Sequence, residues 1–121
     1  MQNYFSTQFS TNFPLTPPVK AEQKLASEFP NASNPMWFKQ GENFAVVFFI
    51  DNRDCMALFN SSFSIVEYKI KTPVDSLPNS IRTKGENEGK IINSILISKN
   101  GITQYEITVL TPHLKNITLR I

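Results

Sequence analysis

The sequence has few of the residues from which enzymes build catalytic and metal sites. It contains one cysteine, Cys55, and one histidine, His113. A single cysteine cannot close an internal disulfide, and these two residues do not supply the clustered ligands of a zinc site. A serine or cysteine hydrolase would have to use His113, which lies beside Pro112 where we expect a turn. We therefore expect a protein that is not an enzyme, with no catalytic residue and no metal site.

Glycine, long apolar runs and clustered charge are also scarce. The four glycines lie near expected turns and form no phosphate-binding loop, so we expect no cofactor. No apolar run approaches the roughly 20 residues that span a bilayer, so we expect no membrane span. Twelve basic and ten acidic residues are scattered along the chain, which argues against nucleic acid as a partner. No basic stretch followed by an apolar one is visible at the start, so we see no signal peptide.

The first 17 residues are expected to form an N-terminal tail or linker. They are polar, with Phe5, Phe9 and Phe13 spaced four residues apart. The serine, threonine and asparagine residues between these rings favour turns over helix interiors. Two interpretations stay open: an aromatic anchor for a partner, and a loosely packed or disordered tether. Of the two, we favour the tether.

The remaining chain predicts two helices and seven strands. Residues 19–29 follow two prolines and contain good helix formers at helical spacing. Residues 77–84 predict a poorer second helix, with Gly85 and Gly89 past its end. Apolar segments between turn residues predict strands at 35–40, 43–50, 54–60, 63–70, 90–98, 102–110 and 115–121.

The order of these elements, helix then strands then helix then strands, indicates an internal repeat. We expect an α+β fold of two tandem units, each with one helix and an antiparallel sheet of three or four strands. The helices are expected to pack on one face of the sheet. The other face must then meet solvent, another element or a partner.

Several short motifs in these elements resemble one protein family. Residues 29–49, FPNASNPMWFKQGENFAVVFF, followed by ALFN, look like the first half of the PepSY-like family, also described as β-lactamase-inhibitor-like. LPNSI, KII and QYEITV resemble that family's second helix and strands. The resemblance covers residues 18–121, which we expect to be a single PepSY-like domain of two units, 18–72 and 73–121.

The resemblance implies a protein that binds rather than catalyses. It implies a small secreted or periplasmic protein, similar in architecture to β-lactamase inhibitory protein, which binds an enzyme on a concave sheet surface. Two features depart from the family pattern: the glycines in and after the second helix, and the lack of a visible secretion signal.

The predicted strand 43–50 is apolar on both faces and carries the candidate binding residues. One face of this strand carries Phe44, Val46, Phe48 and Ile50. We expect this face to pack against the helix, because its residues align with Tyr105, Ile107 and Val109 in the second half of the chain. Val47 and Phe49 then point away from the helix and, with Met56 and Leu58 of the next strand, form a predicted partner-binding patch.

Three interpretations of what buries this patch stay open. A protein or peptide partner, a second copy in a homodimer, and the Phe-rich tail of the same chain would each bury it. Trp37 is the fifth candidate residue, either as a hot spot of the interface or as a ring that closes the core, and we favour the core.

We therefore expect a non-enzymatic extracytoplasmic binding protein that uses the open sheet face. Its partner would be a protein or peptide, and it would inhibit or regulate a hydrolase. The alternative is a structural or sensory module that self-associates or binds envelope peptides.

Overall fold

The computed structural model describes residues 3–9, 14–114 and 116–121. These residues form an α+β structure, and every predicted helix and strand is confirmed, with ends that differ by no more than two residues. The elements are a 3-10 helix (Tyr4–Phe9), α1 (Val19–Glu28), β1 (Ser33–Gln40), β2 (Asn43–Ile50), β3 (Arg53–Phe59), β4 (Ile65–Lys71), a 3-10 turn (Val74–Ser76), α2 (Asn79–Glu86), β5 (Lys90–Lys99), β6 (Ile102–Leu110) and β7 (Asn116–Arg120).

The chain divides into two compact units, Met1–Tyr68 and Lys69–Ile121. In the first unit, β1 pairs with β2 and β2 with β3, all antiparallel. In the second unit, β5 pairs with β6 and β6 with β7, again antiparallel. The interpretation of the two units as a tandem repeat stays a prediction.

Two hairpins turn on two-residue loops in which both central residues have positive φ. Asp51 and Asn52 have φ of 49° and 65°, and Asn100 and Gly101 have φ of 53° and 77°. This conformation matches the twist of the flanking strands, and asparagine, aspartate and glycine adopt it most readily. Each loop fixes the register of its hairpin, and the register decides which side chains share a face.

The register of the first unit places Trp37 and the helix on the same side of the strands. Directly opposite residues of an antiparallel pair share a face, and alternate residues lie on opposite faces. Val46 pairs with Trp37 and with Ala57. Phe48 lies on the same side, and its ring centroid is 5.2 Å from that of Phe29, directly after α1. We call this side the helix face, and the predicted orientation of Val46 and Phe48 toward the helix is confirmed.

The opposite side of the same strands is almost entirely apolar. Val47 pairs with Met56, and Ala45 pairs with Phe38 on one side and Leu58 on the other. We call this side the apolar face and define it by Phe38, Ala45, Val47, Phe49, Met56 and Leu58.

The second unit has its own core between α2 and its strands. Leu77, Ile91, Ile107 and Val109 are buried together in it. The helix runs two residues beyond the predicted end at Lys84, and it contains Gly85, which the sequence places past the helix. A Cβ at Gly85 would lie 2.8 Å from the Cδ1 atom of Ile91. The glycine that weakens the helix therefore allows it to approach β5 closely.

Gly89 also has no space for a side chain. A Cβ there would overlap the main-chain oxygen of Leu110 and lie 3.0 Å from Cγ1 of Val109. We expect Gly89→Ala to lower the free energy of unfolding by about 1–3 kcal/mol, because a main-chain atom cannot swing away as a flexible side chain can. Urea unfolding followed by circular dichroism measures this change. The exposed neighbour provides the control, since Glu88→Ala should change stability by less than about 0.5 kcal/mol. Equal midpoints for the two variants would contradict the close approach.

Candidate functional site

The apolar face of the first unit is occupied by residues 3–9, which we call the N-terminal segment. The Phe9 ring stacks on the Phe38 ring with centroids 5.0 Å apart and planes 11° from parallel. The side-chain amide of Gln8 donates a hydrogen bond to the sulfur of Met56 at 3.3 Å. Because Phe38 and Met56 both belong to the apolar face, the N-terminal segment lies on the side of the strands opposite to the helix face.

Asn3 anchors this segment to the main chain of the sheet. Its Nδ2 donates to the carbonyl oxygen of Phe48 at 2.8 Å and to that of Cys55 at 3.4 Å. Phe48 and Cys55 are directly opposite each other on β2 and β3. The Oδ1 of Asn3 accepts a hydrogen bond from the Phe5 main-chain N–H at 2.8 Å. Asn3 is buried, and these bonds offset the cost of removing its amide from water.

A further contact holds the segment at the edge of the apolar face. The main-chain N–H of Tyr4 donates to Oδ2 of Asp54 at 2.6 Å. Asp54 pairs with Phe49 across β2 and β3, so its side chain lies on the same side as the apolar face. A hydrogen bond to an ionised carboxylate is stronger than one between neutral groups. The segment thus combines apolar contacts in the centre with a charged contact at the rim.

Burial of the segment contradicts the expectation of a loose tether for residues 3–9. Phe5 is 4% exposed and Phe9 is 1% exposed, as completely buried as most of the core. Asn3 and Phe38, which make two of the main contacts, were not predicted from the sequence. The spacing of Phe5 and Phe9 was the only signal of an anchor, and Phe13 lies outside the described residues.

The structure brings four of the five predicted site residues together and separates the fifth. Val47, Phe49 and Met56 are buried on the apolar face, and Leu58 is half-buried there. Trp37 lies on the helix face, is 4% exposed, and has its ring centroid 5.4 Å from that of Phe59. Trp37 therefore packs in the core between α1 and the strands, away from the other four residues.

A groove of about 480 Å³ lies beside α1. Its lining includes Leu25 and Phe29, residues 14–17, and Trp37. The main-chain N–H of Leu15 donates to the carbonyl oxygen of Trp37 at 2.9 Å, which joins this wall to β1. Phe29 and Trp37 of the helix face line the groove, and so does Met36, which pairs with Val47 of the apolar face.

Cys55 has no features of a reactive cysteine. Its side chain is fully buried, and its sulfur donates a weak hydrogen bond to the Arg53 carbonyl oxygen at 3.4 Å. Burial raises the pKa of the thiol to about 11. The nucleophilic thiolate is therefore scarce at neutral pH.

Alkylation of Cys55 tests this burial. At pH 8 a thiol with a pKa of about 11 is ionised in only about one molecule in a thousand, and the folded chain shields it from reagent. We expect iodoacetamide to leave the native protein unmodified in the time that fully labels the protein unfolded in guanidinium, as measured by mass spectrometry. Equal labelling rates for the native and unfolded protein would contradict the structure.

No helix among the described residues is long and apolar enough to cross a membrane. Likewise, residues 3–9, 14–114 and 116–121 contain no group of three or more His, Cys, Asp and Glu side chains placed to hold a metal ion. The candidate site is the apolar face, on which Phe9 stacks on Phe38 and Gln8 bonds to Met56.

Comparison with known proteins identifies the fold. No family model matches the sequence, and no curated protein is significantly similar to it. A BLIP-like protein from Bacteroides fragilis superimposes with a TM-score of 0.74 at 18% identity, over 93% of this chain and 82% of that one. A DUF2874 family protein from Bacteroides uniformis gives a TM-score of 0.74 at 13% identity, over 88% and 82%.

A third solved structure has the same fold. A Bacteroides eggerthii protein for which a periplasmic location is proposed gives a TM-score of 0.70 at 15% identity, over 88% of this chain and 82% of that one. At such low identities these similarities establish a BLIP-like α+β fold and nothing finer. The resemblance is thus confirmed for the fold, and the assignment to the PepSY-like family stays a prediction.

Proposed function

We propose that this protein is a non-enzymatic, extracytoplasmic binding protein whose apolar face receives a segment of a protein partner. One observation carries the proposal: the apolar face already holds a peptide segment, the chain's own residues 3–9. The segment is held by side-chain contacts and by hydrogen bonds to strand carbonyls, which a segment from another protein can also make.

The chemistry of the face supports binding of a partner. If the N-terminal segment leaves, Phe38 and Met56 lose their contacts with Phe9 and Gln8 and meet water. A monomer rarely leaves a large contiguous apolar patch exposed, because burying apolar surface is worth about 25 cal/mol per Å². The uncovered face therefore has a strong tendency to acquire another occupant. Asp54 at its edge supplies the polar rim that is typical of protein interfaces.

An extracytoplasmic location is part of the proposal. The structural similarity to a protein for which a periplasmic location is proposed supports it.

Inhibition or regulation of a hydrolase is the finer form of the proposal. The β2–β3 hairpin ends in Asp51 and Asn52, which are both exposed. A tight, exposed hairpin next to an apolar binding face has the shape to enter an active-site cleft while the face binds the surrounding surface. The proposal places the hydrolase contact at this hairpin.

Affinity capture tests the proposed function. The bait is the tagged full chain, compared with the Phe9→Ala variant, which weakens the N-terminal segment, in envelope and secreted extracts of the source organism. We expect one protein to be recovered near stoichiometry and to be enriched by Phe9→Ala, because the apolar face is then uncovered more often.

Leu58→Asp added to Phe9→Ala is the matched control. Leu58 lies on the apolar face and is half-buried, so the charge disturbs the face more than the core. Circular dichroism confirms that the double variant is folded. Loss of the captured protein with this variant supports the proposal, and undiminished recovery places the partner elsewhere and contradicts it.

A further inference from the structure

The contacts of the N-terminal segment define which peptides the apolar face recognises. Resting on the proposed function, we propose that the face binds partner segments of the form Asn-x-Phe-x-x-x-Phe, and that residues 3–9 are a built-in competitor for such a partner. The pattern is that of Asn3, Phe5 and Phe9 in this chain.

The three residues of the pattern are the buried ones. Asn3, Phe5 and Phe9 are 5%, 4% and 1% exposed. Tyr4 is 46% exposed, and Thr7 and Gln8 are also exposed. Deeply buried and exposed positions thus alternate within seven residues. Such alternation is typical of peptide recognition, since the buried residues carry most of the binding free energy.

Each buried position has a distinct recognition element. The Asn3 amide bonds to the carbonyl oxygens of two strands, at 2.8 Å and 3.4 Å, which selects a residue with an amide N–H₂ at this point. Phe9 stacks on Phe38 at 5.0 Å, an arrangement that favours an aromatic ring over an aliphatic side chain. The Asn3 oxygen bonds to the N–H of Phe5, so the same asparagine also shapes the turn that directs Phe5 inward.

The conformation of the segment depends on the face. Six of the segment's seven residues, Tyr4–Phe9, form a 3-10 helix without acidic residues in its first turn or basic residues in its last. Helices of this type rarely exceed three or four residues, and isolated short helices are marginal in water. The segment therefore behaves as a peptide ligand that is ordered by its binding site, rather than as a rigid part of the scaffold.

The attachment of the segment makes it a competitor. Leu15 is bonded to β1 through Trp37, so Phe9 is tethered to the sheet by the short stretch between residues 9 and 15. A ligand joined to its binding site by so few residues of chain acts at an effective concentration on the order of millimolar. A partner segment with the same three residues must displace the chain's own segment. We therefore expect binding only of a partner that makes further contacts or is present at a high local concentration.

A fluorescence-anisotropy titration tests this inference with a labelled synthetic peptide, NYFSTQF, and the full chain. We expect the Phe9→Ala chain to bind the peptide at least about 10-fold more tightly than the wild-type chain, because its own segment competes less. The Asn3→Ala chain should behave in the same way, which guards against a folding defect specific to one variant. Thr7→Ala is the matched control and should bind as the wild type does, because Thr7 is exposed.

Changes in the peptide test the pattern itself. A peptide with alanine in place of its last phenylalanine should bind the Phe9→Ala chain about 30-fold more weakly, as expected for loss of a hot-spot residue. A peptide with alanine in place of its threonine should bind unchanged. Equal affinity of all three peptides, or no saturable binding to either folded variant, would overturn the inference.

The outcomes also separate this inference from the proposed function. If a partner is captured and lost with Leu58→Asp, but NYFSTQF does not bind, the proposed function is supported and the peptide pattern is wrong. Sedimentation velocity tests whether the N-terminal segment of one copy binds the apolar face of another. If the wild-type chain is a monomer at all concentrations, such exchange is excluded. A concentration-dependent dimer that Phe9→Ala abolishes would assign the face to a second copy and overturn the inference.

Discussion

Strand β2 carries large apolar side chains on both faces, so it is stable in water only where both faces are covered. Phe29, directly after α1, packs on Phe48 and covers the helix face. The N-terminal segment covers the other face through Phe9 on Phe38 and through the Asn3 amide on two strand carbonyls. The rest of the first unit follows from this requirement, since β1 and β3 extend both apolar surfaces and the hairpin loops fix their register.

The regular elements could be predicted because their signals are local. Apolar alternation, the Asp51-Asn52 and Asn100-Gly101 turns, and the prolines before α1 each act within a few residues of chain. The cover of the apolar face could not be predicted in the same way. Asn3 bonds to residues 45 and 52 positions away, and a short polar segment with scattered phenylalanines has the composition of a tail. Similarly, the position of Gly85 inside α2 follows from its contact with Ile91 and not from helix propensity.

In the proposed function, the N-terminal segment that covers the apolar face also regulates access to that face. In that proposal, Val47, Phe49 and Met56, which are buried in the free protein, become the binding surface when the segment leaves. Because the cover is intramolecular, its strength sets a threshold for any partner, and single changes at Asn3 or Phe9 shift that threshold while the sheet is retained.

The most direct test of this account is a nuclear Overhauser measurement on the native protein, which reports which protons lie close together in solution. The structure predicts contacts between the Phe9 and Phe38 rings and between the Gln8 amide and the Met56 methyl group. These contacts would show that the N-terminal segment covers the apolar face. Random-coil shifts for Phe9 together with a solvent-accessible Met56 methyl group would contradict the account.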